Sequence, residues 1–81
     1  MRKYQSHKTV EAAKIVAAEK HHDGEWSVVF EDGSSHRVKH PQASRFHITE
    51  EDPGYYVLYD DGYISWSPSK AFEQGYTEIA A

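Results

Sequence analysis

The chain nearly repeats itself. Trp26-Ser27-Val28-Val29-Phe30-Glu31-Asp32-Gly33 comes back as Tyr55-Tyr56-Val57-Leu58-Tyr59-Asp60-Asp61-Gly62, with the two glycines 29 positions apart. Each copy is a run of aromatic and β-branched residues, which favour extended backbone, halted by an acid-Asp-Gly corner. Asp hydrogen-bonds the local backbone and Gly adopts φ > 0 at no steric cost, so the pair reverses a chain tightly. Two β-hairpins are therefore predicted, residues 25–31 with 34–39 and residues 55–60 with 63–67. Further turn chemistry stands at His21-His22-Asp23-Gly24 and at Asp52-Pro53-Gly54, bracketing both units.

A chain of 81 residues suits one compact domain of modest stability, because a domain this small buries only about 60–65% of its unfolded surface. Hydrophobic residues make up 38% and aromatics 14%, enough for one small core and too many for a disordered tail. With no cysteine there is neither a disulfide framework nor a cysteine-ligated zinc site, and a reducing cytoplasm is the expected setting. No stretch approaches the roughly 18 apolar residues of a membrane span, so no membrane association is expected. Residues 1–8 read as a flexible N-terminal arm and residues 9–81 as a single domain.

Charge is uneven. Residues 1–40 carry seven Lys/Arg against six Asp/Glu, whereas residues 41–81 carry two against seven. Nucleic-acid binding draws its affinity from Lys and Arg displacing counterions, and an acidic second half opposes it. Only Arg2, Lys3, Lys8, Lys14 and Lys20, with His7, form a basic start, and short charged termini are usually solvated.

The segment 9–19 reads two ways. Ala12, Ala13, Ala17 and Ala18 favour helix with Thr9 as N-cap, whereas Lys14-Ile15-Val16 fits an extended strand. A pair of hairpins needs a further neighbour on the sheet, which favours the strand. Register decides which side chains meet the core. A two-residue turn sets Tyr59 opposite Ile64 and Val57 opposite Trp66; a turn with a glycine bulge sets Trp26, Val28 and Phe30 opposite Val38, His36 and Ser34. Each option suits one hairpin, so the two turns are expected to differ. Tyr55, Val57 and Tyr59 are expected to share a buried face with Trp26, Val28 and Phe30.

Past the second hairpin, Ser67-Pro68-Ser69-Lys70-Ala71-Phe72-Glu73-Gln74-Gly75 has the signals of a short helix: Ser67 as N-cap, Pro68 at the first turn and Gly75 just beyond the end. Phe72 is its anchor, and residues 76–79 leave as an extended tail able to add an edge strand. Residues 40–46 offer a matching turn of helix with Phe46 as anchor, which would make the repeat hairpin-plus-helix twice.

Six histidines invite a metal test. His36, His40 and His47 are the candidate ligands, with Asp23 or His21 nearby, but this spacing without cysteines has little specificity and polar surface histidine is the commoner reading. The acids Glu31-Asp32 and Asp60-Asp61 belong to turns, and Glu50-Glu51-Asp52 lacks the offsets of a calcium loop. No Ser, His and Asp stand in a diagnostic catalytic frame. The expectation is a non-enzymatic protein without a cofactor.

The aromatics say more. Tyr55, Tyr56, Tyr59, Tyr63, Trp66, Phe72 and Tyr76 fall within 22 residues, and strand alternation cannot bury them all. With Tyr55 and Tyr59 inward, Tyr56 points outward, and Tyr63 faces the side opposite Trp66. Ordinary cross-strand packing is one reading, and an amphipathic contact patch of the kind protein interfaces enrich is the other. Tyr56, Tyr63 and Tyr76 with Asp60 and Asp61 are the candidate partner-binding residues.

Lys3-Tyr4-Gln5-Ser6-His7-Lys8, Val10-Glu11-Ala12, Lys14-Ile15, and above all Gly54-Tyr55-Tyr56-Val57, Tyr59, Asp61-Gly62-Tyr63, Ser65-Trp66-Ser67-Pro68, Ala71-Phe72-Glu73 and Gly75-Tyr76-Thr77 resemble small uncharacterised proteins encoded by tailed phages and prophages. The likeness is strongest over the last third and weakest over residues 20–50. It implies a bacterial cytoplasmic setting during infection or lysogeny and brings no catalytic or ligand residues with it.

These readings combine into an α+β domain: a small curled antiparallel sheet of about five strands built from two hairpins, closed by a short C-terminal helix, with an SH3-like barrel as the alternative. The expected function is a phage accessory protein that binds another protein, with a bacterial host factor as the candidate partner, and a homodimer through an exposed edge is expected to add stability. The alternatives are a nucleic-acid-binding or DNA-mimicking module and, third, a small enzyme or histidine-based metal site.

Overall fold

A computed structural model describes residues 1–6 and 9–78. The order is β1 (Arg2–Gln5), β2 (Thr9–Lys20), β3 (Trp26–Phe30), β4 (Ser35–Val38), a 3₁₀ turn (Gln42–Arg45), β5 (Tyr55–Tyr59), β6 (Ile64–Ser67), α1 (Ser69–Gly75) and β7 (Thr77–Glu78). All pairings are antiparallel, in one sheet of seven strands. The sheet has seven strands where about five were expected, β1 being the strand that the sequence reading did not foresee. The barrel alternative fails, because β4, β6 and β7 each have a single neighbour and the sheet stays open.

The 9–19 segment is strand, and β2 organises the molecule. Its first half pairs with β1 and β5 across the same residues, so these flank opposite edges. The peptide unit between Lys14 and Ile15 then bonds both ways: Ile15 N–H donates to Gly54 O at 2.9 Å, and Lys14 O accepts from Glu31 N–H at 3.0 Å. β3 therefore lies on the edge that β1 occupies further back, and a bulge between Ile15 and Ala17 turns the strand into its second half. Such a bulge adds twist and bends its strand.

That bend produces two cores. Ile15, Val28, Phe30, Val38, Ala43, Phe46 and Tyr56 pack on one side, and Val10, Ala12, Tyr55, Val57 and Phe72 on the other. Successive residues of β5 alternate between them, so the strand is buried on both faces and reads as an unbroken apolar run. The expected union of Tyr55, Val57 and Tyr59 with Trp26, Val28 and Phe30 is corrected accordingly, Trp26 packing at the edge of the first core. It is Tyr56 that meets Phe30, ring edge to face at 5.7 Å, while Tyr55 stacks on Phe72 at 4.4 Å. Phe46 and Phe72 are both buried anchors, at 5% and 2% exposure, after the 3₁₀ turn and within α1.

Both hairpin turns have the same geometry, against the expected difference. Phe30 N–H donates to Ser34 O and accepts Gly33 N–H on its own carbonyl; Tyr59, Tyr63 and Gly62 repeat the pattern, and His21, Glu25 and Gly24 do so a third time. The pairs Tyr56–Trp66 and Val57–Ser65 follow, replacing the two-residue register. At each corner the glycine φ is 87–88° and an Asp carboxylate accepts the backbone N–H two residues on at 2.9 Å, from Glu25, Ser34 and Tyr63. The Glu25 N–H lowers the Asp23 carboxyl pKa, and the Ser34 hydroxyl and N–H lower that of Asp32.

Arg2–Gln5 form a strand, not part of an arm, because β2 offers them an unpaired edge and Tyr4 buries its ring against Phe72 at 4.8 Å. His7 and Lys8 lie outside the described residues. In α1, Pro68 occupies the N-cap that Ser67 was expected to fill, and the first N–H is served from afar: Ser69 N–H donates to both Asp52 carboxylate oxygens at 3.1 and 3.2 Å. Gly75 is the last helical residue and Tyr76 the C-cap. Thr77–Glu78 add the expected edge strand on β1, and Ile79 lies outside the described residues. No helix among the described residues is long and apolar enough to cross a membrane.

Gly54 is the most constrained glycine. Its φ is +78°, and a Cβ there would strike Ser67 O and approach Trp66 Nε1 to 2.5 Å, whereas Gly33 at φ +87° has open space. Gly33→Ala should cost about 1 kcal/mol from the left-handed backbone alone. Gly54→Ala adds overpacking and should cost about 3 kcal/mol or more. Urea denaturation of both variants checks the ranking.

Candidate functional site

The structure divides the predicted contact residues. Tyr56 is 5% exposed, enclosed by Phe30, Phe46 at 6.0 Å and His36 at 5.4 Å, and it belongs to the core. Its expected outward orientation is overturned because β3, β4 and the 3₁₀ turn cover the face of β5 that a simple two-hairpin sheet would leave open. Tyr63 is 47% exposed, next to the Asp61-Gly62 corner. Its ring stands 5.7 Å from Tyr59, and the Arg45 guanidinium lies 4.5 Å over it. Arg45 Nη1 also donates to Ile64 O at 3.3 Å, so the cation is fixed where it stacks.

From Tyr63 the aromatic surface continues inward. Tyr59 and Tyr76 pack at the edge of the second core, and Tyr76 stacks on Phe72 at 4.7 Å with the rings 16° from parallel. Phe72 in turn contacts Tyr55 and Tyr4. Tyr76 is therefore half-buried, its ring held by the helix. Asp61 is committed to its turn through Tyr63 N–H, whereas Asp60, at the exposed crest, makes no side-chain hydrogen bond or ion pair among the described residues. Tyr63, Tyr59, Tyr76, Asp60 and Arg45 form one surface at this end of the sheet. Arg45 was not legible as a member, since nothing in its spacing ties it to residues 18 positions away.

The phenols behind this surface hold their protons. Burial, then the hydrogen bond to Glu73 at 2.7 Å, pushes Tyr55 far above its ordinary value. Burial, then the Tyr76 and Tyr63 hydroxyls, raises Tyr59, and burial raises Tyr56 and, with Glu78, Tyr4. Lys14 Nζ stands 3.8 Å from Glu73, a partly exposed ion pair.

The histidines are dispersed. The His36 ring meets Tyr56, and His47 meets Trp66 at 6.1 Å. His40 Nε2 donates to the Asp23 carbonyl at 2.6 Å, and His21 Nε2 pairs with Ser27 Oγ at 2.6 Å. Of the candidate ligands His36, His40 and His47, His40 reaches the Asp23 corner, and it does so through backbone. Among the described residues no three His, Cys, Asp or Glu side chains converge as a metal cage.

No protein-family model, curated protein or solved structure matches the chain. The geometry itself presents aromatic area with a stacked Arg, residue types that protein interfaces enrich at their anchors, and at its margin the Asp60 carboxylate, which has no side-chain partner among the described residues.

Two consequences are measurable. Tyr56→Ala should lose about 3 kcal/mol or more of stability through an uncollapsed cavity, whereas Tyr63→Ala should stay within about 0.5 kcal/mol of the parent. The raised phenols give an alkaline limit. Their protonated form is favoured by folding, so this stability is fully present below their ordinary value of 10.0 and is lost as pH rises through the folded values. Unfolding followed by circular dichroism should show stability falling above pH 10.0, and Tyr55→Phe should flatten the fall while costing about 1 kcal/mol at neutral pH for the lost Glu73 bond.

Proposed function

We propose that this chain is a non-enzymatic accessory protein of a phage or prophage that acts in the bacterial cytoplasm by binding another protein through the Tyr63 end of the sheet. The observation that carries the binding surface is the half-exposed Tyr63 ring, clamped between Tyr59 and the Arg45 guanidinium. An exposed aromatic with freedom to move loses entropy on binding, and a pre-stacked one loses less. Tyr76 extends the apolar area, and Asp60 and Arg45 place one charge of each sign at its margin, which sets orientation and excludes mismatched partners. The phage setting rests on the resemblance of the segments around Tyr55–Tyr63 and Ser65–Pro68.

A partner with an apolar centre flanked by a base and an acid suits this surface, and the acidic second half disfavours a nucleic acid as its occupant. Affinity capture from a bacterial lysate with tagged protein should retain a specific protein. Tyr63→Ala and Asp60→Lys should each reduce retention at least about tenfold, the expected loss for an anchor or an oriented charge, with thermal stability unchanged. Retention that is unaffected by both substitutions would remove this surface from the function.

A further inference from the structure

The second half of β2 has a partner on only one side. β3 covers one edge from Ala17 to Lys20, while β5 stops at Tyr55 opposite Lys14, with Gly54 bonding Ile15. The direction of the leftover groups follows from the turn. His21 N–H donates to Glu25 O, so His21–Glu25 is a hydrogen-bonded pair, and in an antiparallel ladder these alternate with non-bonded ones. Glu19–Ser27 and Ala17–Val29 are then bonded pairs, and Ala18 and Lys20 aim their N–H and C=O away from β3. Among the described residues neither has a backbone or side-chain partner on that side.

The chain entering β5 does not fill this edge. It diverges, leaving a groove of about 310 Å³ between Val16, Ala17 and Ala18 on one wall and Ile48, Thr49, Glu50 and Pro53 on the other, with Trp26 among its lining. Val16 is 51% exposed. Natural edges are usually guarded by charge, proline or a cover. The outer edge of β6 has Arg45 bonded to Ile64 O, and β4 carries Arg37 locked to Asp23 and Glu25. Val16-Ala17-Ala18 has no such guard. Glu50 lines the groove and is in no ion pair among the described residues, while at the Trp26 wall the Lys20 ammonium stands 5.8 Å over the indole.

We infer that this groove receives an extended, basic peptide segment of a partner protein, which adds a strand to the open edge of β2. Ala18 and Lys20 supply main-chain hydrogen bonds, Val16, Trp26, Ile48 and Pro53 take alternate apolar side chains, and Glu50 meets a basic one. The groove uses none of the residues of the Tyr63 surface.

The test is an amide NMR titration of the whole chain with a capped peptide of alternating lysine and valine, and with its glutamate-valine counterpart. The basic peptide should bind saturably, shift the Ala18 and Lys20 amides and slow exchange at Ala18, and the acidic peptide should not. Ala18→Pro removes a donor that the β2–β3 ladder does not use and should weaken binding about tenfold. Glu50→Lys, an exposed change that tests the same site should the proline variant unfold, should also weaken it. The inference fails if the Ala18 amide does not respond, if both peptides bind equally, or if binding survives both substitutions. It also fails if Ala18 is already protected without peptide in a concentration-dependent dimer, because a second copy then occupies the edge.

Discussion

A single peptide unit, between Lys14 and Ile15, holds the architecture together. Its N–H bonds toward β5 and its C=O toward the end of β3, so it stands where the strand passes from one set of neighbours to another. Before it, β2 is flanked by β1 and β5; after it, by β3 alone. Buried peptide groups cost free energy when unpaired, so the chain at this point accepts only an arrangement that brings Gly54 and Glu31 to opposite sides of one strand. The bulge that follows then bends β2, and β3 and β4 come to lie over the Tyr56 face of β5. Two cores on opposite sides of β5 are the outcome.

The three Asp-Gly corners provide the register on which this depends. Each places two residues of one strand end opposite one of the other through its glycine bulge, and each Asp side chain satisfies the N–H that follows. Because side chains alternate along a strand, a one-residue slip at the last corner would exchange Tyr56 with Tyr55 and Val57 between the two cores. The same corner sets Tyr63 beside Tyr59, within reach of Arg45. Turn chemistry thus decides both what is hidden and what is shown.

The corners, the hairpins and the anchors Phe46 and Phe72 were legible because each is written in local chemistry: Asp-Gly pairs, β-branched runs, and aromatics after a proline. The segment 9–19, by contrast, read both as helix and as strand from its own residues and was resolved by the sheet's need of a neighbour. What escaped was non-local. Arg2-Lys3-Tyr4-Gln5 carries no strand signature of its own and becomes β1 because an edge of β2 awaits it. Tyr56 read as exposed because alternation assumes one wet face, and β5 has none. Asp52, which sits in a turn motif, serves Ser69 N–H 17 residues away, so the helix cap could not be assigned from its own neighbourhood. Of the contact residues, Tyr63 and Asp60 follow from the corner, whereas Arg45 reaches Tyr63 only once the 3₁₀ turn packs beside β6.

The two surfaces sit at opposite ends of one strand. Tyr59 pairs with Val10, and the open edge begins past Ile15 and centres on Ala18. Eight residues of extended chain span roughly 26 Å, so partners at the two ends need not compete for space. They also differ in kind. On the reading proposed for Tyr63, recognition there is by side chains at a hairpin tip, where shape and charge discriminate between partners. At Ala18 the inferred recognition is by main chain, which any extended segment can meet, so its selectivity has to come from Glu50 and the groove wall. β2, which passes both surfaces and pairs with Tyr59 through Val10, has neighbours on both edges only in its first half. The Tyr63 end is therefore the rigid one, and the Ala18 end is where an added strand would supply hydrogen bonds that the fold leaves unmade.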